Sequence, residues 1–256
     1  MGPEGSGKTM LLNAICTELE ATLFDLTATN IVGKYPGKSG LNMLMHLVLK
    51  VSRLIQPAVV FIDQAEKTFI KKVSKTDKSD PKRLKKDLPK LVKSFQSEDC
   101  VMLIGASRCP WECEQKGLAL TYQKMMVLPI PDYSFRCNLW KELIISKGGQ
   151  ITKYSDKFDI SSLSKISEGY TSGHIRKAVD ATLTERRILQ QKMRPLQPVE
   201  FITFLAKNDP IFREEEEAYF AWYSKTPIGK KREKLLGGDE DEGGKKEKKA
   251  GKKKKK

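Results

Sequence analysis

Residues 2–9 read GPEGSGKT and fit the pattern G-x-x-x-x-G-K-[ST]. The chemistry this spacing supports is phosphate binding. Gly2, Pro3, Glu4, Gly5, Ser6 and Gly7 form a loop whose backbone N–H groups can turn toward an anion. Lys8 can neutralise the outer phosphates, and Thr9 offers a hydroxyl to magnesium. A helix entered at Met10 would point its positive end at the same place. The pattern therefore predicts ATP and Mg2+ as ligands, with residues 2–10 lining the site. The bland alternative is a glycine-rich stretch that matches by chance. A second segment weighs against chance. Ala58–Gln64 reads AVVFIDQ, an apolar strand ending in an acid, which would set Asp63 at the carboxyl end of a sheet. Alone, such an aspartate reads as a turn or helix cap; beside a phosphate loop it can hold magnesium, directly or through water.

These residues need a scaffold, and the pattern of apolar residues describes one. Leu11, Leu12, Ile15 and Leu19 recur at helical spacing, as do the apolar residues of 41–55. Short apolar runs at 22–26, 58–62, 101–104 and 125–128 read as strands buried in a parallel sheet. Strands alternating with helices predict an α/β fold with a parallel sheet. Beyond Pro131 the segments 133–146, 160–166, 173–190 and 199–207 all read as helices, which predicts a separate helical domain. Segment 212–223 reads as an acidic helix with an aromatic end, either packed on the body or docking a neighbour. A phosphate loop normally hangs from a buried strand. Only Met1 stands before this loop, so the first strand is expected to be missing, as in a fragment, a short isoform or a truncated gene model.

The 256 residues carry a net charge of +15, and that charge is local. Segments 67–93 and 229–256 hold +8 and +7, leaving the rest neutral. In the first, Lys82, Arg83, Lys85 and Lys86 interleave with Leu84, Leu88 and Leu91, predicting one helix with an apolar stripe and a cationic face. That face is either simply solvated or attracts an anionic partner over about a Debye length. The second is a low-complexity lysine-rich tail from Gly229 onward, expected to be disordered. It reads as a solubilising tail, or as one drawn to microtubules, nucleic acid or import machinery. Basic residues do not interleave with aromatics, so nucleic acid is the weaker option. No apolar run approaches the roughly 20 residues that span a membrane, and the glycine loop directly after Met1 leads to the expectation of no secretory signal. Five cysteines, an odd number, and two distant histidines argue for reduced thiols over disulfides or zinc.

The motifs and their order resemble the AAA ATPase family. GKYPGK (33–38) resembles the family's pore loop, with Tyr35 as the aromatic that grips a threaded polypeptide. IGASRCP (104–110) resembles the segment that carries the sensor, at Arg108. VLPIPDYSFR (127–136) resembles the hinge to the helical lid, and GYTSGHI (169–175) the part of the lid that closes over the base. The resemblance implies a P-loop sheet domain over 1–131 and a helical lid over 132–207. A helical arm over 208–228 and the basic tail over 229–256 would follow. NIVGKYPGKSGL, DPKRLKKDLPK, PVEFIT and EEEEAYFAWYSKTPIGKK are similar to a ciliary branch of the family, found in the nexin–dynein regulatory complex. That similarity implies axonemal proteins of the dynein regulatory complex as partners, with tubulin as a further one. It also implies a place in the cytoplasm, in the cytoskeleton of the cilium or flagellum.

Against the family pattern, four positions depart. The glutamate that polarises the attacking water is replaced by Gln64. The sensor asparagine is replaced by Arg108. The arginine-finger region reads LALTYQKM (118–125), with Lys124 its only cation, and His174 stands where the lid motif has an acid. A general base contributes about 10² to 10⁴ in rate and an arginine finger about 10³ to 10⁵. The expectation is a site that holds ATP and Mg2+ but hydrolyses poorly. Two alternatives stay open: a working motor that threads or remodels protein, and a basic microtubule- or nucleic-acid-binding protein with a vestigial loop.

Overall fold

The computed structural model describes residues 1–70, 80–150 and 158–236. Its centre is a parallel sheet of three strands in the order β1 (Thr22–Asp25), β2 (Ala58–Ile62), β3 (Val101–Gly105). Every residue of β2 is buried. Side chains alternate faces along a strand, and helices cover both. Val60 and Ile62 meet α3 (Gly37–Leu54) through Leu41, Leu44, Met45 and Val48, whose spacing makes one helical stripe. Val59 and Phe61 meet Leu12 of α1 (Lys8–Glu18) on the opposite face. Two short helices, α2 (Ala28–Ile31) and α4 (Ala65–Phe69), follow β1 and β2 at the carboxyl ends of the strands. The α/β class with a parallel sheet expected from the sequence is observed, with three of the four expected strands.

The basic segment is not one helix. Pro81–Leu84 forms a 3-10 turn and α5 spans Leu88–Ser94. Pro89 sits in the first turn of α5; its ring would clash with the carbonyl four residues back, so no helix can run through it. Leu84, Leu88 and Leu91 still reach the core beneath β2. Residues 71–79 of the segment lie outside the described residues.

Residues 125–128 do not form the expected strand. They run extended after α6 (Gln115–Thr121), and the Leu128 N–H donates to the Met1 carbonyl at 2.7 Å. The Gly2 N–H in turn donates to the Ser107 carbonyl at 3.2 Å, just past β3. Met1 and Gly2 thus lie between β3 and 125–128, and two residues give too few rungs to make a ladder.

The carboxyl-terminal helices α7 (Tyr133–Ser146), α8 (Ile160–Ile166), α9 (Ser172–Thr182), α10 (Glu185–Gln190) and α11 (Pro198–Leu205) bury a second cluster. Trp140, fully buried, packs edge-on to Phe201 at 5.7 Å and donates its indole N–H to Ser167 Oγ at 3.1 Å. Asp132, Asp159, Thr171 and Thr184 cap four of the helices with their side chains. The Thr184 cap explains a third departure from the sequence reading. Segment 173–190 is two helices, because Leu183 leaves the helical region and Thr184 accepts the Arg187 N–H to start again.

Segment 212–223 forms α12 (Arg213–Lys225), and α13 (Pro227–Leu236) follows it. Residues 229–236, expected within the disordered tail, are therefore helical. Thr226 Oγ1 accepts the Gly229 N–H at 3.1 Å and starts that helix. The rest of the tail, 237–256, lies outside the described residues. No described helix is long and apolar enough to cross a membrane.

Candidate nucleotide-phosphate site

The loop of residues 2–7 turns at Gly5 (φ 77°) and Gly7 (φ 90°), both left-handed, a conformation that favours glycine. Gly7 is the N-cap of α1, and no side chain caps that helix. The N–H groups of its first turn and the positive end of its dipole therefore face the loop, which is an anion site by construction. Gly2 is buried; a methyl group there would fall 2.7 Å from the Leu128 carbonyl.

Lys8 Nζ donates to the Gly2 and Pro3 carbonyls, each at 2.7 Å. In this arrangement the loop satisfies its own lysine, which must leave those carbonyls to meet a phosphate. Burial pushes the Lys8 pKa below the usual ammonium value, while the carboxylates of Asp63 and Glu66 pull it back up. An arriving phosphate would stabilise the charged form further.

Asp63 directly follows β2, where its N–H donates to Thr27 Oγ1 at 3.0 Å and its Oδ1 accepts the Gln64 N–H at 2.9 Å. Thr9, on the first turn of α1, is exposed, as is Met10. Lys8, the α1 N–H groups, Thr9 and Asp63 are a donor set that fits a magnesium-bound polyphosphate. Magnesium takes few protein ligands and keeps several waters. When bound, the metal would neutralise phosphate charge; this chain would hold it through Asp63 and Thr9 and bind the phosphates with Lys8. Among the described residues no group of three or more His, Cys, Asp or Glu side chains could hold a metal alone.

Gln64 is exposed and left-handed (φ 50°), at the N-cap of α4. Arg108 is drawn into the site by three bonds. Its guanidinium pairs with Glu4 of the loop at 2.7 Å, its N–H donates to Glu66 Oε1 at 3.2 Å, and its carbonyl accepts the Tyr219 hydroxyl of α12. Thr121, in the arginine-finger region, is buried with its hydroxyl on the Gly117 carbonyl, and Lys124 is exposed.

Three further contacts bear on this site. Glu66 is only 4% exposed, and its Oε2 is buried without a partner. Thr27 orients the end of β2 from a different loop. The lid touches the phosphate loop backbone to backbone: the Gly173 N–H donates to the Gly5 carbonyl at 2.8 Å. The adjacent His174 has a buried, unpartnered Nδ1, and burial, then Lys177, lowers its pKa. The glycine pair was present in the motifs, but only the packing shows that the two glycines meet.

The other sequence candidates lie apart. Tyr35, left-handed at φ 52°, is half-buried with its ring against the core under α3. Arg83 turns inward, its Nη2 donating to the Lys34 carbonyl at 3.0 Å. Lys85 pairs with Glu114 at 2.8 Å, Lys82 is half-buried and Lys86 is exposed. The four do not share one open cationic face.

Residues 1–124 match the family described as ATPase family associated with various cellular activities (AAA). The chain is 48% identical over 237 residues to mouse Dynein regulatory complex protein 11, covering 90% of this chain and 27% of that protein. It is 24% identical over 245 residues to the sea urchin (Strongylocentrotus purpuratus) Katanin p60 ATPase-containing subunit A1, covering 87% and 46% respectively. It thus spans between about a quarter and a half of the length of these relatives. Among solved structures, the FIGL-1 AAA domain in complex with ADP aligns with a TM-score of 0.65 at 21% identity. That alignment covers 88% of this chain and 76% of the other. Three parallel strands, the glycine loop at their carboxyl end and the helical bundle beyond it agree with these matches, and residues 1–124 carry an AAA-family domain.

Proposed function

We propose that this chain is a nucleotide-binding AAA module that holds ATP–Mg2+ as a structural clamp and hydrolyses it poorly. The observation that carries the reading is a mismatch within one site. The phosphate-binding parts are present: left-handed Gly5 and Gly7, an uncapped α1, Thr9, Asp63, and Lys8 once it leaves the loop carbonyls. The position that would activate water is the amide Gln64, which cannot accept a proton. Glu66 does not replace it, because it is buried and its Oε1 is engaged by the Arg108 N–H. Arg108 is tied to Glu4, and the finger region offers no arginine.

The similarity to Dynein regulatory complex protein 11 supports placing the module in the axoneme, among the proteins of that complex. Tubulin contact through Lys82–Lys86 has weaker support, since Arg83 and Lys85 are engaged within the chain. The threading role for Tyr35 belongs to the motor reading, and a ring held against the core does not favour it.

Calorimetry of Mg-ATP binding to the purified chain tests the reading, with Lys8→Ala as control. Micromolar binding lost in the variant, together with turnover far below about 1 per second, the lower end for phosphoryl-transfer enzymes, supports a clamp. Turnover at or above that rate refutes it. No binding to either protein would make the loop vestigial.

A further inference from the structure

α10 stands out among the lid helices because none of its residues is buried. Leu189 is 81% exposed, Met193 just beyond it 93%, and Val199 at the start of α11 64%. Single exposed apolar residues need no explanation, but three fall on this short stretch. One of them, Val199, lines an open groove of about 560 Å³ between the end of α9, α10 and α11, together with Phe204. That volume is in the range of ligand sites.

The groove is cationic, and its charge is organised. Arg187 forks onto Glu200, Nε to Oε2 at 2.7 Å and Nη2 to Oε1 at 2.8 Å. It also donates to the Arg194 and Pro195 carbonyls at 2.9 and 3.1 Å. Those bonds hold the Glu200 carboxyl below the usual carboxylate range, so it stays ionised and neutralised by Arg187. Arg187 is thereby a fixed, spent cation that shapes the wall. Arg186 and Arg194, also lining the groove, are exposed and form no ion pair among the described residues. The two exposed guanidinium groups thus flank a floor where Arg187 neutralises Glu200, with Val199 and Phe204 in the same wall.

We propose that this face of the lid is a docking site for an acidic peptide segment of a partner protein that also carries an apolar side chain. Guanidinium groups recognise carboxylates bidentately. Val199 and Phe204 supply the apolar contact within the groove. That contact is what selects a peptide over a bare polyanion.

The test uses fluorescence anisotropy with a labelled peptide of alternating glutamate and leucine, and a single-stranded oligonucleotide of equal charge. Lysines elsewhere attract any polyanion, so the comparison is between the wild-type chain and Arg186→Glu/Arg194→Glu, at physiological ionic strength. Both residues are exposed, and an unchanged melting curve confirms the fold. The expected result is peptide binding weakened at least about tenfold in the double variant, with a smaller loss in Val199→Ser. Oligonucleotide binding should change little. Equal peptide binding by wild type and the arginine variant overturns the proposal. So does an equal or greater loss for the oligonucleotide, which would make the groove a nucleic-acid surface.

Discussion

Replacing Gly173 with alanine tests whether the lid and the phosphate loop work as one site. A methyl group at 173 would fall 2.8 Å from both the Cα and the carbonyl oxygen of Gly5, where ordinary contact begins at 3.4 Å. Both atoms are backbone, so neither can rotate away, and the lid must retreat by at least about 0.6 Å. The retreat strains or breaks the 2.8 Å bond from the Gly173 N–H to the Gly5 carbonyl. A net hydrogen bond is worth about 0.5–1.5 kcal/mol, and overpacking costs about 1–3 kcal/mol. Taking about 2 kcal/mol as falling on the closed state alone, Mg-ATP affinity should drop near thirtyfold, chiefly through faster dissociation. Gly5 is the poorer target, because its left-handed φ of 77° adds backbone strain to any side chain. Stopped-flow release of a fluorescent ATP analogue, with calorimetry for the Kd, measures the effect. A correctly folded Gly173→Ala protein with Kd and dissociation rate within about twofold of wild type would refute the reasoning.

Gln64→Glu should raise phosphate release above wild type, short of the full general-base factor of about 10² to 10⁴, because the finger region stays without arginine; no gain would show that Gln64 is not what limits turnover. Glu200→Gln should flatten the acid limb of the unfolding curve. The folded carboxyl is held low by Arg187, so its stabilisation is complete above the unfolded value of about 4.3 and is lost as pH falls through the lower folded value. Circular dichroism melts across that window decide it, and identical acid limbs for both proteins would count against the pair. Tyr219→Phe removes the buried hydroxyl that donates to the Arg108 carbonyl and should cost about 1 kcal/mol, read by chemical denaturation.

The chemistry-bearing residues that one short stretch supplies were legible in the sequence. Gly5, Gly7, Lys8 and Thr9 act through a local turn into a helix, and eight residues suffice to specify it. Asp63 was legible because the short β-branched run AVVFI fits a strand buried on both faces, which puts the next residue at the sheet's carboxyl end. The breaks at Pro89 and Thr184 carried local signals too, a ring without an N–H and a capping hydroxyl, which a reading by hydrophobic period passes over.

Contacts between distant residues were decided by the tertiary structure alone. Gly5 meets Gly173, Glu4 meets Arg108 and Arg108 meets Tyr219 across more than a hundred residues. No periodicity encodes such pairs, because each depends on how the lid and α12 fold back onto the sheet. The same holds for the lysines and arginines. The sequence counts their charges, but burial and pairing decide which face solvent. Arg83 and Lys85 are used within the fold, whereas Arg186 and Arg194 are left open beside a groove that only the packing of α9, α10 and α11 creates. Local chemistry is written in neighbouring residues; its availability depends on what the folded chain brings against them.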